Sequence, residues 1–177
     1  MTDGKIQPIT IYGSSILREI CLEVENKPEM ITLANDLLTT MNAIGVAVGL
    51  AAPQINKMRR MFAMKHNEKS IIVINPVITK KRYTVKSPES CLSIPGLSGV
   101  VAERDEIINV EFYDENFNKQ KIRLKGFSAI VFQHEIHHLD GILYTDLLTK
   151  EGKEQVADKL SDIAKGIYKA DYPTMLV

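Results

Sequence analysis

The chain has 177 residues, 45% hydrophobic and 25% charged, a globular balance long enough to bury one continuous core without disulfides or structural metals. Its 22 basic and 22 acidic residues cancel, so nothing in the charge calls for nucleic acid or an anionic membrane as partner. The longest apolar stretch, Val46 to Pro53, falls far short of the roughly 18 to 20 residues of a membrane span, and Met1 to Thr10 is too polar for a signal segment, so a soluble, unexported, cytoplasmic protein is expected.

Apolar residues recur from end to end without repeat, low-complexity tract or linker, which predicts a single domain over residues 1–177. Cys21 and Cys91 are expected as free thiols or metal ligands, because an unexported chain meets reducing conditions. From Pro28 to Ile44, Ile31, Leu33, Ala34, Leu37, Leu38, Met41 and Ile44 recur at spacings of three and four, the pattern of an amphipathic helix with a proline near its first turn. Gly45 and Gly49 make no phosphate loop, since neither a Gly-Lys-Ser/Thr nor a Gly-x-Gly spacing follows.

From Met58 to Leu124 the texture is that of strands. Ser70 to Ile74 is a β-branched run closed by Asn75-Pro76, and Ile107 to Lys125 alternates on both sides of the polar turn Asp114 to Asn118, as an antiparallel hairpin does. Phe127 to Leu139 returns to helical spacing, with Phe127, Val131, His134 and His138 on one face and Phe132, Ile136, Leu139 and Leu143 around another, so the helix is expected to be buried. Asp140-Gly141 fits its stop. A charged helix from Lys150 to Ala164, with Val156, Leu160 and Ile163 as a narrow apolar stripe, ends near Gly166.

His134-Glu135-Ile136-His137-His138 fits H-E-x-x-H. Residues four apart stack on one helix face, so two imidazoles can reach one ion, while Glu135, about 100° round the axis, can touch a metal-bound water without binding the metal. Burying two imidazoles and a carboxylate without partners would cost about 1 to 3 kcal/mol for each unsatisfied group, and a metal removes that penalty. The third ligand is open at this point. Gly141 stands where metzincin proteases have their glycine, but Tyr144 replaces their last histidine; Glu151 and Glu154, the thermolysin-like candidates, sit in a charged segment; Cys91 lies in a segment stiffened by Pro88 and Pro95, and a small buried thiol is its plainest reading.

Three segments in order resemble peptide deformylase: Gly49-Leu50-Ala51-Ala52-Pro53-Gln54, Glu89-Ser90-Cys91-Leu92-Ser93, and Gln133-His134-Glu135-Ile136-His137-His138-Leu139. The similarity runs over essentially the whole chain, including Ile16-Leu17-Arg18 and the strand at Val73 to Pro76. The fold expected is α+β, with antiparallel sheets packed around a central buried helix carrying H-E-x-x-H, one helix N-terminal and one C-terminal.

The resemblance implies Cys91, His134 and His138 as metal ligands, Glu135 as general acid and base, and Gln54 with the backbone N–H of Leu92 as donors to the developing oxyanion. Val48 and Gly49 would offer backbone groups to a peptide added as a strand, Ser90 would lie beside the groove, and Ile130 and Val131 would help line the methionine pocket. The implied reaction is attack of metal-bound hydroxide on the formyl carbon of an N-terminal N-formylmethionine of newly synthesised polypeptides, releasing formate. Iron(II) is implied as the native ion, with zinc or nickel as common substitutes and cobalt also suited to a thiolate and imidazoles. The partners implied are N-formylmethionyl nascent peptides and the ribosome, with no membrane and no sequence-specific nucleic acid.

Three positions depart from the usual family pattern: Ala47 and Ser90 each replace a glycine and add bulk beside the groove, and His137 stands where an aspartate is usual, projecting away from the other two histidines. Glu89 and Arg104 carry opposite charges in segments the family places side by side, and an ion pair bracing the Cys91 segment is expected. A zinc endopeptidase and a non-catalytic metal-stabilised protein are the competing readings; a Cys91 ligand argues against the first, and Glu135 with Gln54 argues against the second.

Overall fold

The computed structural model describes residues 4–177. Seven strands and three α-helices follow in the order β1 (Ile9–Thr10), α1 (Glu29–Ala43), β2 (Gly49–Ala51), β3 (Met61–His66), β4 (Lys69–Ser90), β5 (Ser98–Tyr113), β6 (Lys119–Lys125), α2 (Phe127–Leu139), α3 (Lys150–Ala164) and β7 (Thr174–Met175). The main sheet is antiparallel and ordered β2-β3-β4-β5-β6, so each strand pairs with its sequence neighbour and β2 is an edge. No helix among the described residues is long and apolar enough to cross a membrane.

Strand β3 shows how the sheet is buried. Met61 and Ala63 belong to one apolar cluster with Leu37 and Met41 of α1, while Phe62 and Met64 belong to a second with Phe132 and Leu139 of α2. Because neighbouring residues of a strand point to opposite faces, α1 and α2 cover the two faces of this part of the sheet. Phe62 meets Phe132 edge to face, with ring centroids 5.2 Å apart.

The helices lie where the apolar spacing puts them, with Pro28 as the N-cap of α1 and Thr149 capping α3 through its hydroxyl, which accepts the Gly152 N–H at 3.1 Å. Ile31, counted in the apolar stripe of α1, is 58% exposed.

Three expectations are corrected. Asn75-Pro76 does not close its strand: Asn75 takes φ 48°, the register shifts between Ile74 and Val77, and β4 runs on to Ser90. Asn75 is held there by its side chain, which accepts from Val24 N–H at 2.9 Å and donates to Val24 C=O at 2.8 Å, and a proline is tolerated at a bulge, where the ladder lacks a donor. The strand expected from Ile107 starts at Ser98, so β4 and β5 form a long two-stranded ribbon. The small second sheet, β1 with β7, is parallel, because the last residues return beside the first.

Candidate active site

Cys91 directly follows β4 and opens the turn that leads to β5, closed by Ile94 N–H donating to Cys91 C=O at 3.0 Å. His134 and His138 lie one turn apart on α2, with ring centroids 5.0 Å apart. Cys91 Sγ is 3.2 Å from His138 Nε2, and donor atoms of Cys91, His134 and His138 all fall within 4.8 Å of one another. Glu151 and Glu154 are exposed on α3 and take no part in this cluster.

The surrounding charges orient these donors. His134 Nδ1 donates to Glu89 Oε2 at 2.7 Å, which fixes the ring with its other nitrogen, Nε2, turned to the cluster with Cys91 and His138. Glu89 is clamped from its other side by Arg104, at 2.5 Å to Oε1 and 2.8 Å to Oε2, a bidentate pair that is fully buried. Burial would raise the Glu89 carboxyl, but His134 and Arg104 outweigh it and bring it down to about 2. On His134 burial opposes the charge, and the hydrogen bonds with Cys91 and Glu89 outweigh that, holding it up at about 10. His138 lies well below its usual value, from burial and then the charge of His134. A thiol, an imidazole oriented by a carboxylate and a second, neutral imidazole form an electron-rich set that fits a borderline divalent cation with an open coordination position.

Glu135 is 4% exposed, and its Oε2 has no hydrogen-bond partner among the described residues. Burial, and then the charge of Glu89, push its carboxyl up to about 7, against the opposing pull of His134 and Arg104. Gly49 of β2 packs directly on it: a Cβ at Gly49 would stand 2.3 Å from Glu135 Oε1. Gln54, on the single-turn helix after β2, accepts from Ala51 N–H at 2.8 Å and points its amide nitrogen at Cys91 Sγ (3.4 Å) and Ser93 Oγ (3.2 Å).

These groups line a cleft of about 350 Å³. Val48, Gly49, Gln54, Ser90, Cys91, Leu92, Ile130, Val131, His134 and Glu135 all lie on its walls, as does Ala47, while His138 sits behind the wall, 2% exposed.

The family model for polypeptide deformylase matches residues 6–154. The chain belongs to the peptide deformylase family. It is 36% identical to the peptide deformylase of Chlorobium limicola over 97% of this chain and 96% of that one. It is 40% identical to that of Thermus thermophilus over 84% and 85%. The crystal structure of a Thermus thermophilus peptide deformylase superposes with a TM-score of 0.85 at 39% identity, covering 92% of this chain and 99% of that one. That from Plasmodium falciparum gives 0.82 at 32%, covering 89% and 95%. Peptide deformylases are metal-dependent hydrolases of protein biosynthesis that remove the N-formyl group from nascent polypeptides, and this is the activity of the chain.

In this candidate site, His137 is turned to Arg104 and not into the donor cluster. Its Nδ1 accepts from Arg104 Nη1 at 2.8 Å, and burial with the nearby Arg104 charge brings it down to about 4, so it is a neutral acceptor that extends the Glu89–Arg104 clamp. Tyr144 is buried, stacks on His134 with centroids 6.0 Å apart and donates to Leu97 C=O at 3.1 Å. Phe127, expected on the buried face of its helix, is 67% exposed at the cleft, because it opens α2 where the cleft meets solvent.

The carbonyl of Val48 is taken by Lys65 N–H at 2.8 Å, so backbone alternation turns Gly49, not Val48, toward the open edge of β2. Sequence reasoning missed Leu97 and Tyr172, which also line the cleft. Tyr172 lies in the C-terminal tail without any motif to mark it. Its hydroxyl donates to Leu92 C=O at 2.7 Å, and burial, then the charge of Cys91, push it up to about 12, so it remains a donor at neutral pH.

Proposed function

We propose that Cys91, His134 and His138 hold one divalent ion in this deformylase, with Glu135 as the proton carrier and Gln54 Nε2 and Leu92 N–H as the oxyanion donors. The observation that supports this most is the convergence of three soft and borderline donors in one cleft beside a buried carboxylate, Glu135, whose Oε2 has no hydrogen-bond partner among the described residues. The chemistry supplied by a bound divalent ion here is Lewis acidity, which brings the pKa of water from about 15.7 toward about 7.

A formylated peptide lies along the free edge of β2, where Gly49 offers its N–H and C=O as a neighbouring strand would. The methionine side chain packs against Ile130 and Val131, and Ser90 borders the groove. Glu135, poised at about 7, takes a proton from the attacking water as oxygen bonds to the formyl carbon. Gln54 and Leu92 donate to the formyl oxygen as it gains charge, a contribution of about 3 to 4 kcal/mol per donor in comparable sites. Glu135 then delivers the proton to the amine nitrogen, the C–N bond breaks, and formate and a free N-terminus leave.

Iron(II) is our assignment for the native ion, supported by the thiolate and two imidazoles, which zinc, nickel or cobalt also satisfy. We further assign residues 1–177 to one domain with α2 as its central buried helix between an N-terminal and a C-terminal helix, and place the protein in the cytoplasm in contact with the ribosome, where its nascent substrates arise. The test is formate release from a formyl-Met peptide by protein loaded with iron(II). Release of formate, together with reduced metal occupancy in Cys91→Ser, is expected; no formate from metal-bound wild type, or full occupancy in the variant, would contradict the reading.

A further inference from the structure

The turn that carries Cys91 and Leu92 is held from outside by both ends of the chain. On one side Tyr12 N–H donates to Ser93 C=O at 2.8 Å. On the other the Tyr172 hydroxyl donates to Leu92 C=O at 2.7 Å. The two holds are joined, because β1, two residues before Tyr12, pairs in parallel with β7, two residues after Tyr172. Ile9 N–H donates to Pro173 C=O at 2.8 Å and Ile11 N–H to Met175 C=O at 2.9 Å, so Tyr172 is anchored at the very next residue. Its ring is half-buried and forms part of the cleft wall. The family model ends at Glu154, and Tyr172 lies beyond it.

Leu92 has one backbone group fixed and one free: its C=O takes the Tyr172 hydroxyl, and its N–H makes no hydrogen bond among the described residues. The carbonyl bond restricts rotation about the Cα–C bond of Leu92, and the Cys91–Ile94 turn restricts the peptide before it. An N–H held in this way costs no reorganisation when charge develops on the substrate, the condition under which an oxyanion donor is effective.

We propose that Tyr172 is a positioning residue of the reaction: from the C-terminal strap its hydroxyl fixes the Leu92 peptide, and thereby keeps the Leu92 N–H in place for the developing oxyanion. This rests on the assignment of Leu92 N–H as an oxyanion donor. Because that interaction strengthens only in the transition state, losing the hydroxyl lowers kcat and leaves KM and metal content nearly unchanged.

Tyr172→Phe removes the hydroxyl and keeps the ring. Tyr168→Phe is the control for a loosened strap, since the Tyr168 hydroxyl donates to Thr174 Oγ1 at 3.0 Å within the strap and Tyr168 is not one of the residues that line the cleft. Two measurements are made on metal-loaded protein: steady-state formate release, and amide hydrogen exchange of the segment 92–94. For Tyr172→Phe the expected result is a roughly 3- to 10-fold fall in kcat with KM within about twofold, the size of one lost hydrogen bond, and exchange faster by a similar factor. Tyr168→Phe is expected to change neither. Unchanged exchange in Tyr172→Phe overturns the proposal whatever the activity of the wild type. Faster exchange with unchanged kcat overturns it too, by reducing the contact to a structural one. Equal effects from Tyr168→Phe would assign the loss to the strap as a whole and not to this hydroxyl. Wild-type protein that releases no formate contradicts the functional reading instead, and the exchange measurement still decides whether Tyr172 holds the Leu92 turn.

Discussion

Glu135 sits in a socket without slack, since Gly49 leaves no room for even one carbon between β2 and the carboxylate. Gly49→Ala therefore displaces Glu135 and lowers kcat by at least about tenfold, as misplacements of about 1 Å elsewhere cost up to about 10²-fold, while the metal is retained. Steady-state kinetics with metal analysis check this; full activity would show that the carboxylate has freedom the packing denies. Cys21 illustrates the opposite fate of a thiol. It is 3% exposed, and burial raises it from 9.0 to about 11. A raised value means that the folded state holds the proton longer, so this contribution to stability is whole below pH 9 and is lost as pH rises toward about 11. Denaturant unfolding at pH 8 and pH 10 should show wild type losing more stability between the two than Cys21→Ala; equal losses would contradict it. At this scale the sequence was most readable where chemistry needs fixed spacing: the two histidines at helical separation, Glu135 between them, and the Glu89–Arg104 pair. It was silent where a contact joins remote parts of the chain, as at Tyr172, because one tyrosine in a tail has no periodicity or motif to mark it.

Among the elements, α2 has two tasks, carrying His134, Glu135 and His138 toward the cleft and filling the core with Phe132 and Leu139. Phe132, fully buried against Phe62 and Phe112, anchors it to the sheet. Phe132→Ala should cost about 3 to 5 kcal/mol in urea unfolding, the range for emptying an aromatic site in a packed core. A loss below about 1 kcal/mol would mean that the helix is held elsewhere. The helices could be read from their apolar spacing because that spacing is local. The ribbon of β4 and β5 could not: Val77 to Lys86 is polar and exposed over most of its length, so it lacks the alternation of a half-buried strand and is held by its pairing with β5. The bulge at Asn75 was hidden for a similar reason, since the partner that secures it, Val24, is far away in sequence.

For the molecule as a whole, the sheet brings β2 and the end of β4 to the helix that carries the histidines, and the paired termini close over the turn after β4. The cleft is thus built from segments that are far apart in the chain, which is why its main residues are recognisable as motifs while its walls are not. The central claim is that holding the ion and moving the proton are separate duties, the first of Cys91, His134 and His138 and the second of Glu135. The measurement that tests it most directly is metal content and formate release determined on the same preparation of Glu135→Gln. The account predicts one ion per chain, as in wild type, with formate release slower by about 10²- to 10⁴-fold, the range for loss of a general acid and base. Near-normal release, or loss of the ion with the carboxylate, would contradict it.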